Sequence, residues 1–295
     1  MSRPAFPPLP DGLPWSIGAY LLMDGVSVKE LPRQLKAWGV STLHKPLYED
    51  TRWSALIDLS PYLVELTGPD DPVLQQFLLQ GQADWGLLLL GGGHWQANLH
   101  HLRWLTSVLH PQGQEMLLRL ADSSVADALL GKASATGDTT LFGPFSEVVI
   151  FETDSELWVR HRRPEGAVPA PAEEPYRLNE DDLERLGKVR LGQVLTELAQ
   201  YLRSAFPEYG KEWAPAQYRA RLNDLADQAY AKGFCSEADL TLYVTLFALL
   251  GDQVLNAYPT IAELLEDRNE LTPSQRLQQA TDLAYAYALQ TRSVS

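Results

Sequence analysis

Between Ile17 and Arg163 short apolar runs alternate with segments whose apolar residues recur every third or fourth position. The runs Ala19–Met23, Tyr62–Leu66, Gly86–Leu90, Met116–Leu120, Glu147–Glu152 and Leu157–Arg160 predict strands, because each is brief and flanked by turn formers. Helical spacing predicts helices over Asp71–Gln80, His94–Leu109 and Ser123–Leu130. In the second of these, Trp95, Leu99, Leu102, Leu105 and Leu109 mark one apolar face. Strands and helices in alternation predict an α/β lobe over residues 1–163, a sheet with flanking helices.

The pattern stops at "RPEGAVPAPAEEPYR", where four prolines, small residues and acids predict an extended, exposed linker over residues 164–177. Beyond it the period is helical to the end, so residues 178–295 are expected to form an all-α lobe of about five helices. Asn179 is placed to cap the first, whose apolar residues include Leu183, Leu186, Val194, Leu198 and Leu202 and which Pro207 stops. Pro215 opens the second and Gly233 closes it. Ser236, with Asp239 three residues on, opens the third, which Gly251 ends. A short helix follows near Ile261–Glu266, and Pro273 begins the last.

Composition narrows the range of partners. The 295 residues carry 24 Lys and Arg against 38 Asp and Glu, a net charge of −14. That balance repels phosphate backbones and anionic lipid, so neither nucleic acid nor a membrane surface is expected as a partner. No stretch of about 18 apolar residues is present, and the proline-rich start has no signal-peptide core. A single cysteine, Cys235, excludes an internal disulfide and is consistent with a reducing cytosol.

Candidate chemistry is sparse. "GLLLLGGGHWQANLHHL" reads as strand, glycines and helix, the layout of a phosphate-cradling loop. A P-loop needs a lysine where His94 and Trp95 follow, and a dinucleotide fingerprint needs glycine where Gln96 stands. Gly91–Gly93 are therefore expected to turn the chain and not to hold a cofactor. His100 and His101 are adjacent, about 100° apart on a helix, and His94 is two turns from His101, so no metal site is expected and the histidines read as surface residues. Asp24 ends the first strand in "LLMDGV", where an acid can be catalytic, but Asp-Gly is also a turn pair. Cys235 has no matched base and is expected to be a small, buried or half-buried residue. Arg160, Arg162 and Arg163 in "RHRR" form the one basic cluster, either a solvated strand end or a docking point for an acidic partner segment.

With no reaction centre in view, the order of motifs carries more. "AYLLMDG" (Ala19–Gly25), "KPLYEDT" (Lys45–Thr51), "SPYLVEL" (Ser60–Leu66), the glycine loop, "HLRWLTSVLHPQGQEMLLRLAD" (His101–Asp122) and "LFGPFSEV" (Leu141–Val148) follow one another. This series resembles the adaptor, or chaperone, family of type VI secretion effectors, also called Tap or TEC. The resemblance covers roughly residues 17–160. It places family-motif positions at Asp24, Gly25, Pro61, Arg119, Asp122, Gly143 and Pro144. Where the family often reads Arg-Phe-Tyr-Asp-Pro-Arg, this chain has "RLADSS". The resemblance implies a non-enzymatic cytoplasmic protein of a Gram-negative bacterium that binds a toxic effector and helps load it onto the VgrG spike, with no cofactor. On that reading Asp122 caps the following helix and Arg119 makes a structural ion pair or bonds a carbonyl. A small nucleotide-using enzyme centred on Gly91–Gly93 and Asp24, and an immunity protein that neutralises a toxin, are the alternatives.

Overall fold

Every residue of β1 (Ala19–Met23) is buried, and the burial goes to two different places. Successive strand side chains point to opposite faces, so Ala19, Leu21 and Met23 enter one apolar core while Tyr20 and Leu22 enter another. The computed structural model describes residues 7–80, 85–152, 155–167, 173–266 and 271–294. The chain divides into two compact units, Met1–Val189 and Arg190–Ser295.

In chain order the first unit continues with α1 (Leu31–Ala37), β2 (His44–Pro46), a 3-10 helix at Ser54–Leu59, β3 (Tyr62–Leu66), α2 (Pro72–Gln80), β4 (Gly86–Gly91), α3 (Trp95–Leu105), β5 (Ser107–Leu109), β6 (Glu115–Leu117), α4 (Ser123–Thr136), β7 (Phe145–Glu152), β8 (Leu157–Arg162) and β9 (Tyr176–Arg177). Six strands form one sheet in the order β2-β3-β1-β4-β7-β8, with every neighbouring pair antiparallel. β6, β5 and β9 form a second, small sheet. The large sheet is covered on both faces. Leu31 and Leu35 of α1 and Val73, Leu74 and Phe77 of α2 share a core with Leu21, Val64, Leu88, Leu90 and Val149. Leu99, Leu102 and Leu105 of α3 and Ala126, Leu129 and Leu130 of α4 share the other with Leu22, Leu63, Leu87, Leu89 and Val148. The uninterrupted "LLLL" of β4 follows from this: a central strand buried on both faces has no solvent side to make polar. Each fully buried side chain contributes about 1.5–3 kcal/mol.

Several boundaries differ from the periodicity. The helix expected to reach Leu109 ends at Leu105, where the Thr106 hydroxyl donates to the Arg103 carbonyl at 2.6 Å and the chain turns into β5. Leu109 is thus a strand residue that kept the helical spacing by coincidence. The strand expected at Met116–Leu120 is the shorter β6. The helix expected to stop at Leu130 runs on to Thr136 and ends at Gly137, whose φ of 79° suits glycine.

The segment 164–177 is held at its described ends. The Arg163 amide donates to the Ser146 carbonyl at 2.9 Å, the Thr139 hydroxyl to the Ala167 carbonyl at 2.8 Å and the Trp104 indole to the Glu174 carbonyl at 3.0 Å. Tyr176 and Arg177 then pair with β5. Residues 168–172 of the expected linker lie outside the described residues. The compact units divide further along, at Val189/Arg190, inside the next helix.

That helix is α5 (Glu180–Ala205). Its start is a reciprocal cap: the Asp182 amide donates to the Asn179 side chain at 3.0 Å and the Asn179 amide to the Asp182 carboxylate at 2.9 Å. There follow α6 (Pro215–Ala231), α7 (Glu237–Leu250), α8 (Val254–Ala257), α9 (Pro259–Glu266) and α10 (Pro273–Val294). The amino-terminal region is thus mixed α/β and the carboxy-terminal region all-helical, with α8 added to the helices that the sequence implies. α7 is apolar nearly all round, which suits the centre of a helical unit. Its Tyr243, Val244 and Phe247 meet Leu222, Leu225, Phe234, Leu277 and Ala284 in one core. The Ser236 side chain caps α7 through the Asp239 amide at 3.0 Å.

Candidate functional site

β1 delivers Asp24 to the point where three separate motifs meet. The carboxylate is 2% exposed. It accepts from the Ser27 amide at 3.2 Å and hydroxyl at 2.9 Å, which forms the turn after the strand. It also accepts from the Arg119 guanidinium at 2.6 Å, across 95 positions of sequence. Arg119 is one-third exposed and Asp24 is not, so the pair carries a buried carboxylate whose charge is met. Gly25 packs directly on the loop that precedes β3: a Cβ there would lie 2.1 Å from the Ser60 carbonyl oxygen. The Ser60 hydroxyl accepts from the Tyr48 amide at 3.0 Å and donates to the Pro61 carbonyl at 3.0 Å, which also accepts the Leu47 amide at 2.9 Å. The Tyr48 hydroxyl is pushed up to about 12, first by burial and then by the Asp24 charge, so it stays protonated. The motifs "MDG", "KPLYEDT", "SPY" and "RLAD" are therefore one polar knot that ties β1, β2 and β3 to the strap between β6 and α4.

Three residues after Arg119, Asp122 caps α4. Its carboxylate accepts from the Ser124 amide at 3.0 Å and the Val125 amide at 3.2 Å, while its own amide donates to the Arg119 carbonyl at 3.0 Å. Arg119 and Asp122 are thus two ends of one short turn.

A second junction forms at "LFGPF". Gly143 has a φ of 52°, and a Cβ there would lie 2.3 Å from Nε2 of His101. His101 is 2% exposed, not a surface histidine as its neighbours His94 and His100 are. It sits on the face of α3 that packs inward. Burial lowers it to about 4, so the neutral ring donates from Nε2 to the Leu141 carbonyl at 3.3 Å. Pro144 follows as the chain enters β7, and the Gly143 carbonyl accepts from Arg163 at 2.9 Å.

That contact divides the basic cluster. Arg163 holds the Gly143 turn, and Arg160 pairs with Glu147 at 2.5 Å and donates to the Asp11 carbonyl at 3.0 Å. Arg162 shares Glu147 at 3.1 Å but is 69% exposed. The resemblance marks Asp24, Gly25, Arg119 and Gly143 one by one, but that they meet Tyr48, Ser60 and His101 is not legible in sequence, because those partners belong to no chemical motif.

The glycine loop is filled from within. A Cβ on Gly91 would meet the Ser146 hydroxyl at 2.4 Å, and one on Gly92 the Asn98 side chain at 2.9 Å. Gly91 and Gly92 have φ of 77° and 117°, which glycine alone takes readily. The Gly93 amide donates to the buried Asn98 side chain at 3.0 Å, so this amide serves the protein's own packing. ATP, GTP, NAD and NADP at millimolar concentration are expected to leave the melting temperature unchanged; stabilisation by any one would show that the loop opens to phosphate.

Cys235 is exposed in the turn between α6 and α7, where the buried Phe234 beside it takes the core position. Among the described residues no three His, Cys, Asp or Glu converge as a metal site, and no helix is long and apolar enough to cross a membrane.

Residues 19–137 match DUF4123, described as a domain of unknown function, a span that contains Asp24, Gly25, Pro61, Arg119 and Asp122. The chain is 28% identical to the accessory protein VasW of Vibrio cholerae serotype O1 over 281 residues, 93% of this chain and 90% of the relative. No solved structure matches the chain significantly. Residues 19–137 carry a DUF4123 domain, and the chain is homologous to VasW along most of its length.

Proposed function

We propose that this protein is a non-enzymatic cytoplasmic adaptor of a Gram-negative bacterium, which binds a type VI secretion effector and helps load it onto a VgrG spike. The observation that carries the reading is homology to an accessory protein along nearly the whole chain, helical region included. The polar knot supports it. Asp24 accepts from Ser27 and Arg119 while Ser60 bridges Tyr48 and Pro61, an arrangement suited to holding a scaffold. Glycine-loop packing gives the nucleotide-enzyme alternative no support.

Binding is expected to rest on apolar anchors, since exposed ion pairs contribute only about 0–1 kcal/mol each. Arg160 and Arg163 serve internal contacts, which leaves Arg162 as the member of the cluster able to reach a partner. The test is co-purification of the toxin and the spike protein encoded beside this gene, in low and in roughly 0.5 M salt, where charge interactions are screened. The complex is expected to persist at high salt and with Arg162→Glu. Its dissociation under either condition would make the interface electrostatic, and retention of the toxin with loss of its activity would favour an immunity role.

A further inference from the structure

The 3-10 helix Ser54–Leu59 is built against the usual economy of folding. It carries Ala55, Leu56, Ile57 and Leu59 in six positions, and all of them are exposed. Leu56, Ile57 and Leu59 are 39%, 37% and 47% accessible. Single exposed apolar residues are ordinary, but a short helix with three large ones and no buried face is a contact surface in search of a partner. It borders an open groove of about 600 Å³, whose apolar wall is Pro32, Pro46, Ile57 and Tyr62.

Two features define what can enter. β2 is the edge of the large sheet, but Pro46 has no amide to offer and its carbonyl accepts from Arg103 at 3.3 Å. Strand addition is blocked there, so an occupant must bind through its side chains. The rim is charged unevenly. Glu49 is shared by Lys45 and Arg103, each at 3.2 Å. Asp50 keeps only a 3.7 Å approach to Arg103 and is 82% exposed, and Asp58 stands exposed on the 3-10 helix itself. Three carboxylates thus face two cations, Lys45 paired with Glu49 and Arg103 divided between Glu49 and Asp50. Tyr62 in the groove wall registers this field: its hydroxyl is raised first by burial and then by Glu49 and Asp58.

We infer that this groove is the docking surface for a segment of the bound effector in which apolar side chains are flanked by lysine or arginine. The inference rests on the adaptor reading above and assigns the surface through which it works. The apolar side chains cover Ile57, Leu56 and Tyr62, while the flanking cations meet Asp50 and Asp58 and fix direction.

The experiment places the photoreactive residue p-benzoylphenylalanine at Ile57, and at Leu79 as an exposed position outside the groove, in the full chain co-expressed with the toxin of the neighbouring gene. Cross-linking from Ile57 and not from Leu79, to a toxin peptide rich in Leu, Ile or aromatic residues beside Lys or Arg, is expected. Leu56→Asp with Ile57→Asp should weaken the complex about tenfold or more with an unchanged circular dichroism spectrum, since both side chains are exposed. Asp50→Lys with Asp58→Lys should slow association about threefold, as rim charges do. A complex that forms normally but cross-links only from Leu79, joins an acidic segment, or ignores the double aspartate substitution overturns the groove assignment alone. Failure of the wild-type chain to bind the toxin overturns the adaptor reading and the groove with it.

Discussion

Gly25→Ala is expected to lower the stability of the first unit by about 3 kcal/mol, at the upper end of what overpacking costs. The added methyl group would lie 2.1 Å from the Ser60 carbonyl oxygen, 2.8 Å from its carbon and 2.9 Å from the Leu59 carbonyl carbon. All three are backbone atoms, so no rotamer change relieves the clash and two chain segments must part. Parting them pulls on Ser60, whose hydroxyl holds Tyr48 and Pro61, and on Asp24, one residue away, whose carboxylate holds Arg119. The natural control is Gly187→Ala in α5, where a Cβ meets nothing within 4 Å. There alanine should gain roughly 0.5–1 kcal/mol through helix propensity. Urea unfolding followed by tryptophan fluorescence reads both shifts, because Gly25 and Gly187 lie in the first unit with every tryptophan except Trp213. Equal midpoints for Gly25→Ala and wild type would mean that the Ser60 loop yields freely and that the knot is not rigid.

The second large effect is acid sensitivity through His101. In the unfolded chain this histidine titrates near 6.5, and in the folded protein burial holds it at about 4. Below pH 6.5 the unfolded state therefore binds a proton that the native state refuses. Stability contributed by the neutral ring is present above pH 6.5, falls as pH drops towards 4, and is then fully lost; the span corresponds to about 3 kcal/mol. His101→Gln retains a donor for the Leu141 carbonyl and removes the titration. The variant is expected to start somewhat less stable at pH 7.5 and to decline far less between pH 6.5 and 4.5, as read by urea midpoints across that range. Parallel declines for the two proteins would place the acid sensitivity elsewhere.

Both effects act on the scaffold, which suits the adaptor role proposed above. The knot at Asp24 and the turn at Gly143 fix the sheet and its covering helices, leaving the groove beside β2 as a surface held in place by rigid neighbours. A partner that meets a preformed surface loses less conformational entropy than one that must order it.

Much of this was written locally in the chain. β1 and β3 are legible because five apolar or alternating residues between turn formers have one sensible conformation, and both strands lie where the pattern puts them. The caps of α4, α5 and α7 are legible because a cap is a contact over two or three residues. The division of labour between the amino-terminal α/β region and the helical remainder follows from the change in period. What spacing could not carry was decided by contacts distant in sequence. β2, β5 and β9 are two or three residues long and exist only because a neighbouring strand supplies their hydrogen bonds. His101 shares the polar identity of His100, but only the approach of Gly143, some 40 positions later, buries it. Asp24 reads as an ordinary Asp-Gly turn until Arg119 arrives from 95 residues away. Local propensity and periodicity belong to a window of a few residues, whereas burial and charge pairing belong to whatever the fold brings alongside, and the character of these sites is set by the latter.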